Sequence, residues 1–110
     1  MSRFSDTLAR LQATIEARKG ADPASSYTAK LLAGGAPLAA KKFGEEATET
    51  VIAAIQADPD AIAAESADLI YHWLVLLAAC GVELDAVAAK LEAREGRSGI
   101  EEKASRPKSG

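Results

Sequence analysis

Between Pro37 and Cys80 the chain reads as two long helical runs interrupted once, at Asp58-Pro59. Apolar residues recur at three- and four-residue spacings through both runs, so the arrangement the rest must accommodate is an αα-hairpin with a tight corner. Pro37 suits a first helical position, where its missing N–H has no partner to lose. Shorter helical segments flank the hairpin. One runs from about Ser5 to Arg18, with Leu8, Leu11 and Ile15 on one face and Gly20 closing it. A second is capped by Ser25 or Ser26, whose hydroxyl accepts from a free amide, and ends after Leu32 at Gly34-Gly35. The last spans Glu83 to Glu95, with Leu84, Val87, Ala88 and Leu91 on one stripe. Valine, isoleucine and threonine number 15 and never alternate over a strand-length run, which argues against an all-β or doubly wound architecture. The expected fold is all-α: a bundle of about five helices around a central antiparallel hairpin, with residues 1–95 as the domain and 96–110 as a polar tail.

Of the hydrophobic residues, 25 are alanine, and in a chain of 110 residues this leaves 28 larger apolar side chains for a core. Alanine favours helix and lets helices approach closely, but a core so thin points to completion by a second copy, a homodimer. Thirteen basic against sixteen acidic residues give a net charge of -3, which supplies no broad cationic face for nucleic acid. The one cysteine, Cys80, lies in an apolar run and is expected to be a small buried hydrophobe. The longest apolar stretch, Trp73 to Cys80, is eight residues, short of the ~20 that cross a bilayer, and no secretory signal is visible. The expectation is a cytoplasmic protein with no membrane partner.

The hairpin also holds the residues that look chemical. Glu45, Glu46 and Glu49 stand on its first helix; Glu65 and Asp68 stand on its second, with His72 one turn further on. Glu46 and Glu49 lie roughly 16 Å before the corner, and Glu65 and Asp68 roughly 13 Å after it, at a rise of ~1.5 Å per residue. In antiparallel helices the two pairs fall at nearly the same height, so four carboxylates converge. A lone Glu-x-x-Glu is usually a solvated face, but Ile52 and Ile55 on one helix and Leu69, Ile70, Trp73 and Leu76 on the other lead us to expect burial here. Such a set offers hard oxygen ligands, which suit magnesium, with manganese as a substitute, better than zinc. The chemistry implied is metal-assisted hydrolysis of a phosphoanhydride, with Glu45 able to accept a proton from water.

Glu46-Ala-Thr-Glu49, followed after fifteen residues by Glu65-Ser-Ala-Asp68, resembles the signature of the all-α (MazG-like) nucleoside-triphosphate pyrophosphohydrolases. The strings KKFGEEATETVIAA and ESADLIYHWLVLL, with SYTAKLL at 26–32 and SGIEEKASR at 98–106, are similar to the phosphoribosyl-ATP pyrophosphohydrolase family. That resemblance implies hydrolysis of phosphoribosyl-ATP to phosphoribosyl-AMP and pyrophosphate, the second step of histidine biosynthesis, by a magnesium-dependent dimeric all-α enzyme. Residue by residue, it implies Glu46, Glu49, Glu65 and Asp68 as metal ligands with Glu45 adjoining them.

Other residues carry two readings each. Lys41 and Lys42 either reach the triphosphate or form a solvated face. His72 is read as supporting a ligand carboxylate through a hydrogen bond, with direct ligation as the lesser reading. Ser26 and Tyr27 are a cap and a core contact, or contacts to the substrate's extra ribose phosphate. Arg97, Lys103 and Arg106 in the tail, with Arg94 just before it, are candidate phosphate contacts in a segment that orders over the substrate. The rival functions are hydrolysis of another triphosphate, such as dUTP or a damaged nucleotide, and a non-catalytic helical dimerisation protein.

Overall fold

A computed structural model describes residues 2–96. Five helices follow one another: α1 (Arg3–Ala17), α2 (Tyr27–Ala33), α3 (Gly35–Ile55), α4 (Pro59–Cys80) and α5 (Leu84–Glu92). No strand occurs among the described residues. The chain is all-α, as expected, and its boundaries follow the capping chemistry. Ser2 and Ser26 accept from the amides of Ser5 and Ala29 at the starts of α1 and α2. Asp58 accepts from Asp60 and Ala61, with Pro59 opening α4. Gly81, in the left-handed conformation, ends α4.

α3 and α4 form the antiparallel hairpin and share the most extensive contact; α4 also packs on α1 and α2, and α2 on α3. The buried cluster is Ile15 of α1, Leu31 of α2, Ala39 of α3, and Leu74, Val75 and Ala78 of α4. Two of its six members are alanine, which is how the helices come close enough to pack with few large side chains.

Several expectations are corrected. α3 begins at Gly35 rather than Pro37: Gly35 adopts a φ of 72°, and a proline in the first turn replaces an amide that has no intrahelical partner. α5 ends at Glu92, short of Glu95. Cys80 is exposed, because the buried stripe of α4 passes through Leu74, Val75 and Ala78 and leaves position 80 off that face. Ile52 and Ile55, expected to be buried, are 49% and 79% exposed beside Val51 at 57%. In these last turns α3 turns only Ala53 fully inward, so the branched side chains stand outside. Finally, α4 as a whole is long and apolar enough to cross a membrane by length and composition, although its uninterrupted apolar run is short. It is the central packing helix of the bundle, contacts three neighbours, and carries Asp60, Glu65 and Asp68.

Candidate metal centre

Antiparallel packing brings Glu46 and Glu49 of α3 against Glu65 of α4. One carboxylate oxygen from each lies within 4.8 Å of the other two. Asp68, one turn beyond Glu65, is exposed and outside this tight group, yet its charge acts on both Glu46 and Glu65. Three of the four carboxylates placed together by spacing therefore converge closely, and the fourth borders them.

Oε2 of Glu46 and Oε2 of Glu65 are buried without a hydrogen-bond partner. Burial is the main reason both carboxyls titrate above their ordinary range; a hydrogen bond to Glu49, the charge of Glu49 and that of Asp68 act in the same direction. His72 works against them at Glu46. Among the described residues the ion pairs are Lys19 with Glu16 and Lys42 with Glu45, so no side-chain cation neutralises the cluster. Converging anionic oxygens, two of them unpartnered, fit a hard divalent cation that keeps part of its water.

Glu45 sits outside the cluster, exposed, and pairs with Lys42 at 3.5 Å; Lys41 is exposed. His72 is 7% exposed and makes a different contact from the expected one. Its Nδ1–H donates to the main-chain carbonyl of Asp68 at 2.8 Å, not to a carboxylate. A carbonyl can only accept, so Nδ1 carries a proton, and Nε2 faces the Tyr27 hydroxyl at 3.5 Å. Tyr27 also stacks on Tyr71 with ring centroids 6.5 Å apart, and Tyr71 hydrogen-bonds Thr28. The start of α2 is thereby tied to α4 one turn from the carboxylates, with the Ser26 hydroxyl occupied as a cap.

Sequence reasoning missed Thr50. Its hydroxyl lies 2.8 Å from the carbonyl of Glu46 and 3.3 Å from that of Glu65, between the two helices. Nothing in the sequence separates it from Thr48 two positions earlier.

A cleft of about 240 Å³ opens beside the carboxylates, lined by Glu49, Ile52, Ala53, Gln56, Ala61 and Glu65. Larger hollows of about 410 and 590 Å³ lie around the loop between α1 and α2, the second including Ser26 and Tyr27. Neither holds a carboxylate cluster, so the smaller cleft is where the anionic oxygens meet open space. Arg94 follows α5 and is exposed; Arg97, Lys103 and Arg106 lie outside the described residues.

An all-α hairpin with three converging carboxylates and a fourth at their margin is consistent with the class of MazG-like pyrophosphohydrolases that the sequence resembles. Comparison with known proteins narrows the class. The profile of the family described as phosphoribosyl-ATP pyrophosphohydrolase matches residues 8–95. A phosphoribosyl-ATP pyrophosphatase of Caulobacter vibrioides is 73% identical over 104 residues, covering 94% of this chain and 96% of that protein. Proteins of the same name from Cereibacter sphaeroides and Parvibaculum lavamentivorans are 61% and 58% identical, over 90% and 96% of this chain and 96% and 97% of their own lengths. The chain belongs to the phosphoribosyl-ATP pyrophosphohydrolase family and is a hydrolase.

Proposed function

We propose that the protein hydrolyses phosphoribosyl-ATP to phosphoribosyl-AMP and pyrophosphate with magnesium, as the second step of histidine biosynthesis, acting as a homodimer in the cytoplasm. The observation that carries this reading is the convergence of Glu46, Glu49 and Glu65, with two oxygens left unpartnered, in a chain so similar to proteins of that name.

Glu46, Glu49, Glu65 and Asp68 hold the cation, with manganese able to replace magnesium. When bound, it supplies positive charge against the phosphates of an anionic substrate. The protein's own residues do the rest. The rigid hairpin fixes the carboxylates, and the cleft beside Glu49 and Glu65 admits the phosphate chain. Lys42 holds Glu45 in place at the margin, where its carboxylate accepts a proton from water, and Lys41 faces solvent within reach of a triphosphate. Ser26 and Tyr27 form the rim of a neighbouring hollow suited to the second ribose and its phosphate. Arg97, Lys103 and Arg106 supply further cationic groups for the substrate's phosphates.

The test is pyrophosphate release with magnesium, comparing phosphoribosyl-ATP with ATP and dUTP. A kcat/KM for phosphoribosyl-ATP at least about a hundredfold above either simple nucleotide is expected, since the second ribose phosphate offers charge-assisted contacts that they lack. Preference for either simple nucleotide would overturn the reading.

A further inference from the structure

Five threonines lie in the described helices, and four of them, Thr7, Thr14, Thr48 and Thr50, donate to the carbonyl four residues back. That contact is local and common for a helical threonine. Only Thr50 among these four has a second acceptor on another helix, the carbonyl of Glu65 at 3.3 Å. Both acceptors belong to residues whose carboxylate Oε2 atoms are buried and unpartnered. The Thr50 hydroxyl therefore sits between the main chains of the two residues whose side chains must converge from opposite helices.

We propose that Thr50 is a positioning residue, whose hydroxyl sets the register of α3 against α4 and thereby holds Glu46 and Glu65 at the separation that cation binding needs. The proposal rests on the reading that these carboxylates bind a divalent cation. A slip of one residue along either helix displaces a carboxylate by ~1.5 Å, and magnesium demands oxygens close to ~2.1 Å in near-octahedral array. Like charges in the cluster push the helices apart or out of register, so a cross-helix tie at this height opposes that repulsion directly. The one hydroxyl proton is shared between the two carbonyls in a three-centre bond, at 2.8 Å from Glu46 and 3.3 Å from Glu65, and a helical carbonyl has a second lone pair, so Glu65 accepts its share without giving up its own helical bond. Thr48, whose hydroxyl makes only the local bond at 3.2 Å, is the internal control.

The experiment titrates Mn2+ into the substrate-free protein by calorimetry, well below the melting temperature, for the wild type, Thr50→Val, Thr50→Ser and Thr48→Val. Thr50→Val keeps the shape and removes the hydroxyl; it is expected to bind Mn2+ about five-fold more weakly, in line with the loss of one hydrogen bond. Thr50→Ser restores the hydroxyl and is expected to match the wild type, as is Thr48→Val. A Thr50→Val protein with unchanged affinity would overturn the proposal, and so would a Thr50→Ser protein as weak as Thr50→Val. Should Thr50→Val not fold, Thr50→Ala takes its place, with the same two outcomes deciding. A wild type that binds no Mn2+ would instead overturn the metal reading itself, and Thr50's role with it.

Discussion

At Glu65 two demands conflict. The side chain is turned inward against α3, yet it meets the like charges of Glu49 and Asp68, and its Oε2 has no hydrogen-bond partner. A carboxyl that titrates higher in the folded than in the unfolded state makes its stabilising contribution below the unfolded value and loses it as the pH climbs through the folded one. Metal-free protein is thus expected to melt at progressively lower temperature as the pH rises from the ordinary carboxylate range through the raised range of Glu46 and Glu65. Magnesium should reverse the trend, since it binds the ionised form. Glu65→Gln is expected to flatten that pH dependence and raise the metal-free melting temperature at neutral pH, while lowering turnover by at least about a hundredfold. Melting curves from pH 4 to 8 with and without magnesium, beside a turnover assay, check both halves. The acidic pairs were legible in the sequence because helical rise and a fixed corner determine their heights. The partners of His72 and Thr50 were not legible: they depend on which carbonyl across the interface comes within reach of a short side chain, and spacing along one helix does not determine that.

The corner between α3 and α4 decides whether those heights match. Ala57, just past the end of α3, has a φ of 56°, a conformation in which a Cβ is crowded by the following carbonyl and glycine usually stands. Asp58 follows, its Oδ1 accepting from the amides of Asp60 and Ala61 at 3.1 and 3.3 Å. Ala57→Gly is expected to stabilise the protein by up to about 1 kcal/mol through relief of the left-handed alanine. Asp58→Ala should destabilise by about 1 kcal/mol through loss of the cap. Thermal or denaturant melts of the two variants, which should shift in opposite directions, test the assignment. Pro59 and the aspartates around it announced the turn. The strained alanine went unannounced because no glycine marks the position, and only the backbone reveals the conformation. The ends of α3 show the same limit. A first-turn proline fits more than one starting residue, so Gly35 rather than Pro37 begins the helix.

At the scale of the molecule, few side chains of the described residues are removed from water. Among the described residues Ile15, Leu31, Leu74 and Val75 are the large apolar side chains that are buried, while Val51, Ile52 and Ile55 stand exposed together near the hairpin corner. An exposed apolar set of this kind beside a thin core is what a self-associating chain presents. Ile55→Glu, which touches no carboxylate of the site, is expected to weaken the proposed dimer by at least ten-fold, since burying an unpaired charge costs on the order of 2 kcal/mol or more. Sedimentation equilibrium across a concentration series measures it, and unaltered association would remove this face from the interface. The close packing of the helices was legible in the alanine content alone. The direction in which the branched residues of α3 face was not legible, because Ala53 alone fills the helix contact there and a stripe of isoleucines fits an inner or an outer face equally well.

All the carboxylates proposed to hold the cation lie between Glu46 and Asp68, within the single turn-around of α3 and α4. Contacts so near in sequence form early, because little loop entropy stands in their way. The chain therefore confronts its like charges when the hairpin first closes, before α1 and α2 need to dock, and the electrostatic cost of the site falls on the speed of folding as well as on the stability of what results.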